Sequence, residues 1–258
     1  MVTIIEALIL AIIQGLTEWL PVSSSGHLVI AQQFLGLNPP LVFDLMLHVG
    51  TLVVVLFVFR KTVLDILKAL AKGDFKSENG KLAGFIAVGS VPIVLVGVLL
   101  RDTIEQLFSS LTAVGIALLF TAGVLLISEK RLGNKKIGLV DSILVGLAQA
   151  VAIIPGVSRS GLTVSSGLLR KIDKQTAFRF SFLLSAPAIL GATVFELKDV
   201  AAANLELAPI IAGTVVSMIV GYLSLKLLER VIMREKFHVF AYYCAVVGAA
   251  VLVYSVFL

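Results

Sequence analysis

One cysteine occurs in 258 residues, Cys244, and it lies within an apolar run. A lone thiol excludes a disulfide framework and any cysteine-based metal centre. Histidine is scarce too, at three residues, and only 14% of the chain is charged. A soluble domain carries about 25% charged residues. This chain could not cover an ordinary water-facing surface. Its 21 basic and 16 acidic residues leave a net charge of +5. That excess is scattered over short loops and forms no basic stripe, which excludes a nucleic-acid binder. The N-terminus lacks a basic segment and a cleavage site, so no removable signal peptide is expected.

What the chain does have is apolar sequence. Hydrophobic residues make up 59%, and the mean hydropathy is +1.06. They come in continuous runs of about 18–22 residues, enough for a helix to cross ~30 Å of hydrocarbon. The alternating ten-residue segments of a barrel are not seen. The sequence therefore reads as an all-α polytopic membrane protein, a single membrane domain over residues 1–258. Six transmembrane helices are expected at 42–59, 82–100, 111–128, 176–195, 207–228 and 237–257.

Two further apolar stretches, 4–35 and 139–169, are broken at their centres. Glu18-Trp19-Leu20-Pro21-Val22-Ser23-Ser24-Ser25-Gly26-His27 interrupts the first, and Pro155-Gly156-Val157-Ser158-Arg159-Ser160-Gly161 the second. Each half is about 10–15 residues, too short to span the bilayer at 1.5 Å per residue. Each stretch is expected to be a re-entrant helix-loop-helix pair. Such irregular backbone survives at membrane depth where protein buries it or water reaches it.

Loop charge sets the orientation. Residues 60–81 carry Arg60, Lys61, Lys68, Lys72, Lys76 and Lys81 against three acids, and 129–136 and 170–174 are also basic. These loops should face the cytoplasm. The loops 101–105 and 196–206 have an acidic excess and should face outward. The alternation closes only if both broken stretches turn back, the first from outside and the second from inside, with both termini outside.

The chain also repeats itself, with residues 1–134 as one repeat and 135–258 as the other. A shift of 135 sets Glu6 on Asp141, Gln14 on Gln149, Val22 on Val157, Ser23 on Ser158, Ser25 on Ser160 and Gly26 on Gly161. A slightly different shift sets Gly89, Gly97 and Glu105 on Gly213, Gly221 and Glu229. One re-entrant pair plus three spans per half makes the second half inverted relative to the first. An inverted-topology repeat of this kind places interrupted helices together near the midplane, with the site between them.

The residues at the two breaks suit phosphate chemistry. Glu18 lies one turn after Gln14 on the same helix face, and a charge within a membrane segment marks a functional site by default. Ser23, Ser24, Ser25 and Gly26 open a short helix, whose N-terminus can cap itself or bind an anion. Ser24 and His27 are candidates for nucleophile and base. Arg159, between Ser158 and Ser160, is a bidentate phosphate binder or a partner for Glu18. Gly161 allows close approach, and Thr163 adds a hydroxyl. Asp44 and His48 share a face and either line the pocket or sit at the interface. Arg179 reads as a cytoplasmic anchor, and Trp19 and His238 as interfacial residues. Carboxylates and histidines are too few for a protein-only two-metal site, which leaves a divalent ion held by Glu18 and a substrate's own phosphates.

The run Gln14-Gly15-Leu16-Thr17-Glu18-Trp19-Leu20-Pro21-Val22-Ser23-Ser24-Ser25-Gly26-His27 resembles the first signature of the undecaprenyl-diphosphate phosphatase (bacitracin-resistance) family. Pro155-Gly156-Val157-Ser158-Arg159-Ser160-Gly161-Leu162-Thr163 resembles its second. The resemblance implies a hydrolase that removes the terminal phosphate of undecaprenyl diphosphate on the outer side of the plasma membrane. That reaction recycles the lipid carrier for peptidoglycan and other wall polymers. It implies catalytic roles for Glu18, Ser24, His27 and Arg159, and a divalent cation, Mg²⁺ or Ca²⁺. Gln14, Ser23, Ser25, Gly26, Ser158, Ser160, Gly161 and Thr163 would bind substrate. Family members carry Glu or Gln where this chain has Gln14, a neutral amide that cannot act as a base. A lipid-phosphate flippase or secondary transporter on the same inverted-repeat scaffold is the alternative reading. A homodimer is compatible with the Gly- and Ala-rich helices.

Overall fold

The computed structural model describes residues 2–128, 133–200, 206–233 and 236–257, with backbone alone for 196–200. The loops 129–136 and 196–206, used above for orientation, fall partly outside the described residues, at 129–132 and 201–205. Among the described residues there are twelve helices and no strand. They are α1 (Ile4–Trp19), α2 (Ser24–Leu35), α3 (Leu41–Val58), α4 (Arg60–Ala71), α5 (Glu78–Leu99), α6 (Arg101–Phe108) and α7 (Leu111–Ser128). The others are α8 (Leu139–Val151), α9 (Arg159–Leu169), α10 (Lys174–Val200), α11 (Leu207–Met233) and α12 (His238–Val256). Six of these, α3, α5, α7, α10, α11 and α12, are long and apolar enough to cross a membrane, and they fall on the six expected spans. The protein is a multi-pass membrane protein.

Local chemistry explains where the helices begin and stop. Thr3 caps α1, its hydroxyl accepting from Glu6 N–H while Glu6 accepts from Thr3 N–H. At the start of α8, Asp141 accepts from Gly138 N–H at 3.0 Å. Ser23 caps α2 and Ser158 caps α9, each hydroxyl accepting from the glycine three residues on, Gly26 and Gly161. Pro21 and Pro155 stand in the breaks, where a missing N–H costs no helical bond. α2 ends at Gly36 in the left-handed region, φ 63°.

Two stretches read from sequence as loops are helical. Within 60–81 the chain forms α4, which presents Leu64, Leu67 and Leu70 outward and buries Ala69. Residues 101–108 form the short α6. Charge density concealed the amphipathic spacing in both.

The helices interleave. α1 packs along α11, α8 along α5, α7 along α12, and α3 between α11 and α10. The main core joins Trp19, Leu118, Phe178, Phe182, Leu225 and Cys244. Trp19, expected at the interface, is instead buried against Phe182, with ring centroids 5.2 Å apart. A membrane interface would wet one edge of its ring. Here the α1–α2 break turns that ring into the bundle.

Candidate active site at the two helix breaks

The two breaks pack directly on each other. A Cβ on Gly26 would stand 2.9 Å from Gly156 Cα, so the backbones touch there. Ser23 is held at φ 70°, a conformation unfavourable for a residue with a side chain. Its hydroxyl accepts from Gly156 N–H at 3.1 Å as well as from Gly26 N–H. Ser160 donates to Leu20 O across the same junction at 3.1 Å. On the far side, Thr121 of α7 donates to Gly156 O and accepts from Ser158 N–H, both at 3.1 Å. Sequence inspection missed Thr121, because a lone threonine in an apolar span gives no sign that it faces inward. Ser23→Ala would strand two buried N–H groups. It is expected to destabilise the protein by about 1–3 kcal/mol, read as a lower thermal midpoint in detergent, and an unchanged midpoint would show the hydroxyl is dispensable.

Glu18 lies where the breaks meet. Its Oε1 pairs with Arg159 Nη2 of the second break. Its Oε2 accepts from Ser24 Oγ at 2.5 Å and from Gln14 Nε2 at 2.9 Å. Arg159 also lies over the Trp19 ring, 5.5 Å from its centroid. The Glu18 side chain is 2% exposed, whereas Arg159 is 16% exposed and His48 26%. The carboxylate is therefore sealed, and Arg159 and His48 are the more exposed members of the cluster. His48 Nε2 stands 3.4 Å from Glu18 Oε2. The sequence placed His48 beside Asp44 on one helix face but could not choose between pocket and interface.

The other candidate residues divide by position. His27 turns away from Ser24: Nδ1 lies 2.8 Å from Ser23 O and Nε2 2.8 Å from Tyr243 OH. The hydroxyls of Ser25 and Ser160 lie beside those of Ser23 and Ser158, at 3.3 Å in each case. Thr163 donates to Arg159 O at 2.7 Å. Gly161 N–H is taken by the Ser158 cap. Asp44 accepts from Gln32, and Gln149 is fully buried with neither amide atom partnered.

Several buried polar atoms here have no partner, among them Gln14 Oε1 and Arg159 Nη1. Buried polar groups normally find one, so a ligand is the natural complement. Arg159 Nη1 offers a donor to an anion, and Gln14 Oε1 offers an acceptor to a cation. Among the described residues no three of His, Cys, Asp and Glu are grouped to hold a metal. One carboxylate and one free amide oxygen still fit a hard divalent ion that takes its remaining ligands from phosphates.

Fold and site together define an all-helical integral-membrane protein with an ionised polar centre sealed between broken helices. The comparisons with known proteins make this specific. The chain belongs to the bacitracin resistance protein BacA family, whose model matches residues 7–250. A Methanosphaera stadtmanae protein named undecaprenyl-diphosphatase is 40% identical, over 100% of both chains. Proteins with the same name from Halothermothrix orenii and a Nocardioides species are each 43% identical. The first match covers 97% of each chain, and the second covers 98% of this chain and 97% of its relative.

Proposed function

We propose that this chain is an integral-membrane hydrolase, an undecaprenyl-diphosphatase, that removes the terminal phosphate of a polyprenyl diphosphate and leaves the lipid monophosphate. The observation that carries this reading is the meeting of Glu18, Ser24 and Arg159 from two separate breaks at one buried point. Phosphoryl transfer needs charge neutralised on the non-bridging oxygens and a nucleophile in line with the leaving group. Arg159, with Nη1 open, grips the phosphate. The amides that open α2 and α9 ahead of the capped Gly26 and Gly161, those of Ser24, Ser25, Arg159 and Ser160, add donors and the positive dipole end. Ser24 Oγ, or a water in its place, gives its proton to Glu18 Oε2 and bonds to the terminal phosphorus. The bond from that phosphorus to the bridging oxygen breaks, and the lipid monophosphate departs. If Ser24 is the nucleophile, water then releases inorganic phosphate from it. His27 acts by holding the Ser23 carbonyl and thereby the start of α2. Glu18 and Gln14 would hold a divalent ion, Mg²⁺ or Ca²⁺, which supplies further charge neutralisation on the phosphates.

The chain arrangement in this reading is a single domain of two inverted repeats, each a re-entrant pair followed by three spans. Support comes from length and from correspondence. α1, at 16 residues, reaches about 24 Å and the other three short helices less, under the ~30 Å of hydrocarbon. Glu6 and Asp141 accept from equivalent backbone N–H groups, and Ser23 and Ser158 make equivalent caps. The first helix of each broken pair packs on a span of the other half. The polar centre then opens toward the outer side, with the isoprenoid tail between helices.

Inorganic phosphate release from C55 diphosphate in detergent tests the reading. Wild type is expected to release phosphate, and EDTA and Glu18→Gln are each expected to lower the rate at least ~100-fold. A protein that binds the lipid but releases no phosphate would be a transporter or flippase, and that result would overturn the assignment.

A further inference from the structure

His48 faces Glu18 with one ring nitrogen already committed to its own helix. Its Nδ1 lies 2.8 Å from the carbonyl oxygen of Asp44, one turn back on α3. A carbonyl only accepts, so Nδ1 carries a proton. Nε2 then faces Glu18 Oε2 across 3.4 Å. A proton or a metal ion in that gap would join the two atoms.

The spacing suits a metal ion. Two ligands each about 2.1 Å from one ion, at roughly 90–110° to each other, lie about 3.0–3.4 Å apart. A backbone carbonyl fixing the far ring nitrogen is the usual outer support of a metal-bound histidine. Gln14 is fully buried, and its Oε1 is unpartnered while its Nε2 stands 2.9 Å from the same Glu18 oxygen. Turning that amide over brings the oxygen to the ion. Glu18 Oε1 stays with Arg159, and the second lone pair of Oε2 stays with Ser24. The partial exposure of His48 gives an ion a path in.

Resting on the phosphatase reading above, we propose that His48 Nε2, Glu18 Oε2 and Gln14 Oε1 form a divalent-cation site with one nitrogen ligand. The site therefore favours Mn²⁺-type transition ions over Ca²⁺. Imidazole nitrogen suits first-row transition ions, whereas carboxylate and carbonyl oxygen suit Ca²⁺ and Mg²⁺.

Mn²⁺ added alone to the full chain in detergent is the probe. Pulsed electron paramagnetic resonance reads directly coupled nitrogen, and calorimetric titration reads affinity. Wild type and His27→Gln are expected to show nitrogen coupling. His48→Gln should lose that coupling and bind Mn²⁺ at least about tenfold more weakly, since losing even an outer partner costs ~10–100-fold. Ca²⁺ affinity should change far less, and Glu18→Gln should abolish the site. Coupling that survives His48→Gln and vanishes in His27→Gln overturns the proposal. So does Mn²⁺ bound without coupled nitrogen, the result if a proton occupies the gap, and so does an absence of Glu18-dependent binding. Phosphate release by the same preparation separates the two ideas. Release without nitrogen coupling sinks the ligand assignment alone, and coupling without release sinks the phosphatase reading.

Discussion

Arg159→Ala is expected to lower phosphate release from polyprenyl diphosphate by at least ~10³-fold, the scale at which a single arginine stabilises a phosphoryl-transfer transition state. The same substitution leaves Glu18 as an unpaired charge with a side chain only 2% exposed. Breaking a buried pair from one side costs about 3–5 kcal/mol, so lost activity could reflect lost structure. Two companion variants separate these causes. Arg159→Lys keeps the charge but not the planar fork, which alone can hold Glu18 with one nitrogen and a phosphate with the other. It should fold well and still lose most activity. Arg159→Ala combined with Glu18→Gln removes the stranded charge, so it should recover thermal stability without recovering turnover. Wild-type phosphate release by Arg159→Ala would remove Arg159 from the chemistry altogether.

Gly156→Ala is expected to damage both stability and turnover. Gly156 sits at φ 94°, where a side chain is strained, and the added Cβ would lie 2.5 Å from Val114 O and 2.8 Å from Ala117 Cβ. Backbone strain of this kind costs about 1–3 kcal/mol, and overpacking a tight core costs a similar amount. Gly156 N–H also donates to Ser23 Oγ. A shift at this residue therefore moves the α2 cap and, through it, Ser24. The expected result is a thermal midpoint lowered by many degrees, together with loss of phosphate release. Gly123→Ala is the control, because a Cβ there meets nothing within 4 Å and alanine is the better helix former. Equal midpoints for the two variants would show that the junction tolerates displacement.

The six spans were legible because membrane length and hydropathy leave few alternatives, and Leu111–Ser128 coincides with its expected range. Helices α4 and α6 were not legible, because a stretch dense in lysine or acid reads as loop when its apolar residues are too few to dominate. At the site, Glu18 and Arg159 stood out as charges in apolar breaks, and the resemblance in the first motif singled out Ser24. The roles of the remaining hydroxyls could not be read. Ser23 and Ser24 are adjacent and chemically identical, yet one bridges two backbone N–H groups and the other donates to the carboxylate. Their directions follow from the φ of 70° at Ser23, which no sequence pattern encodes.

By itself the sequence determined the solvent and the elements. With 59% hydrophobic and 14% charged residues, the chain must lie in lipid, and every apolar run must be a helix to satisfy its own backbone. It also marked which polar residues are costly enough to need a purpose. The tertiary structure decided which of them meet. Glu18 and Arg159 are 141 positions apart, and His48 reaches the same carboxylate from a third helix. Helical periodicity fixes the face a residue occupies on its own helix. Only the packing of α1, α3 and α9 around one buried charge fixes what that face touches.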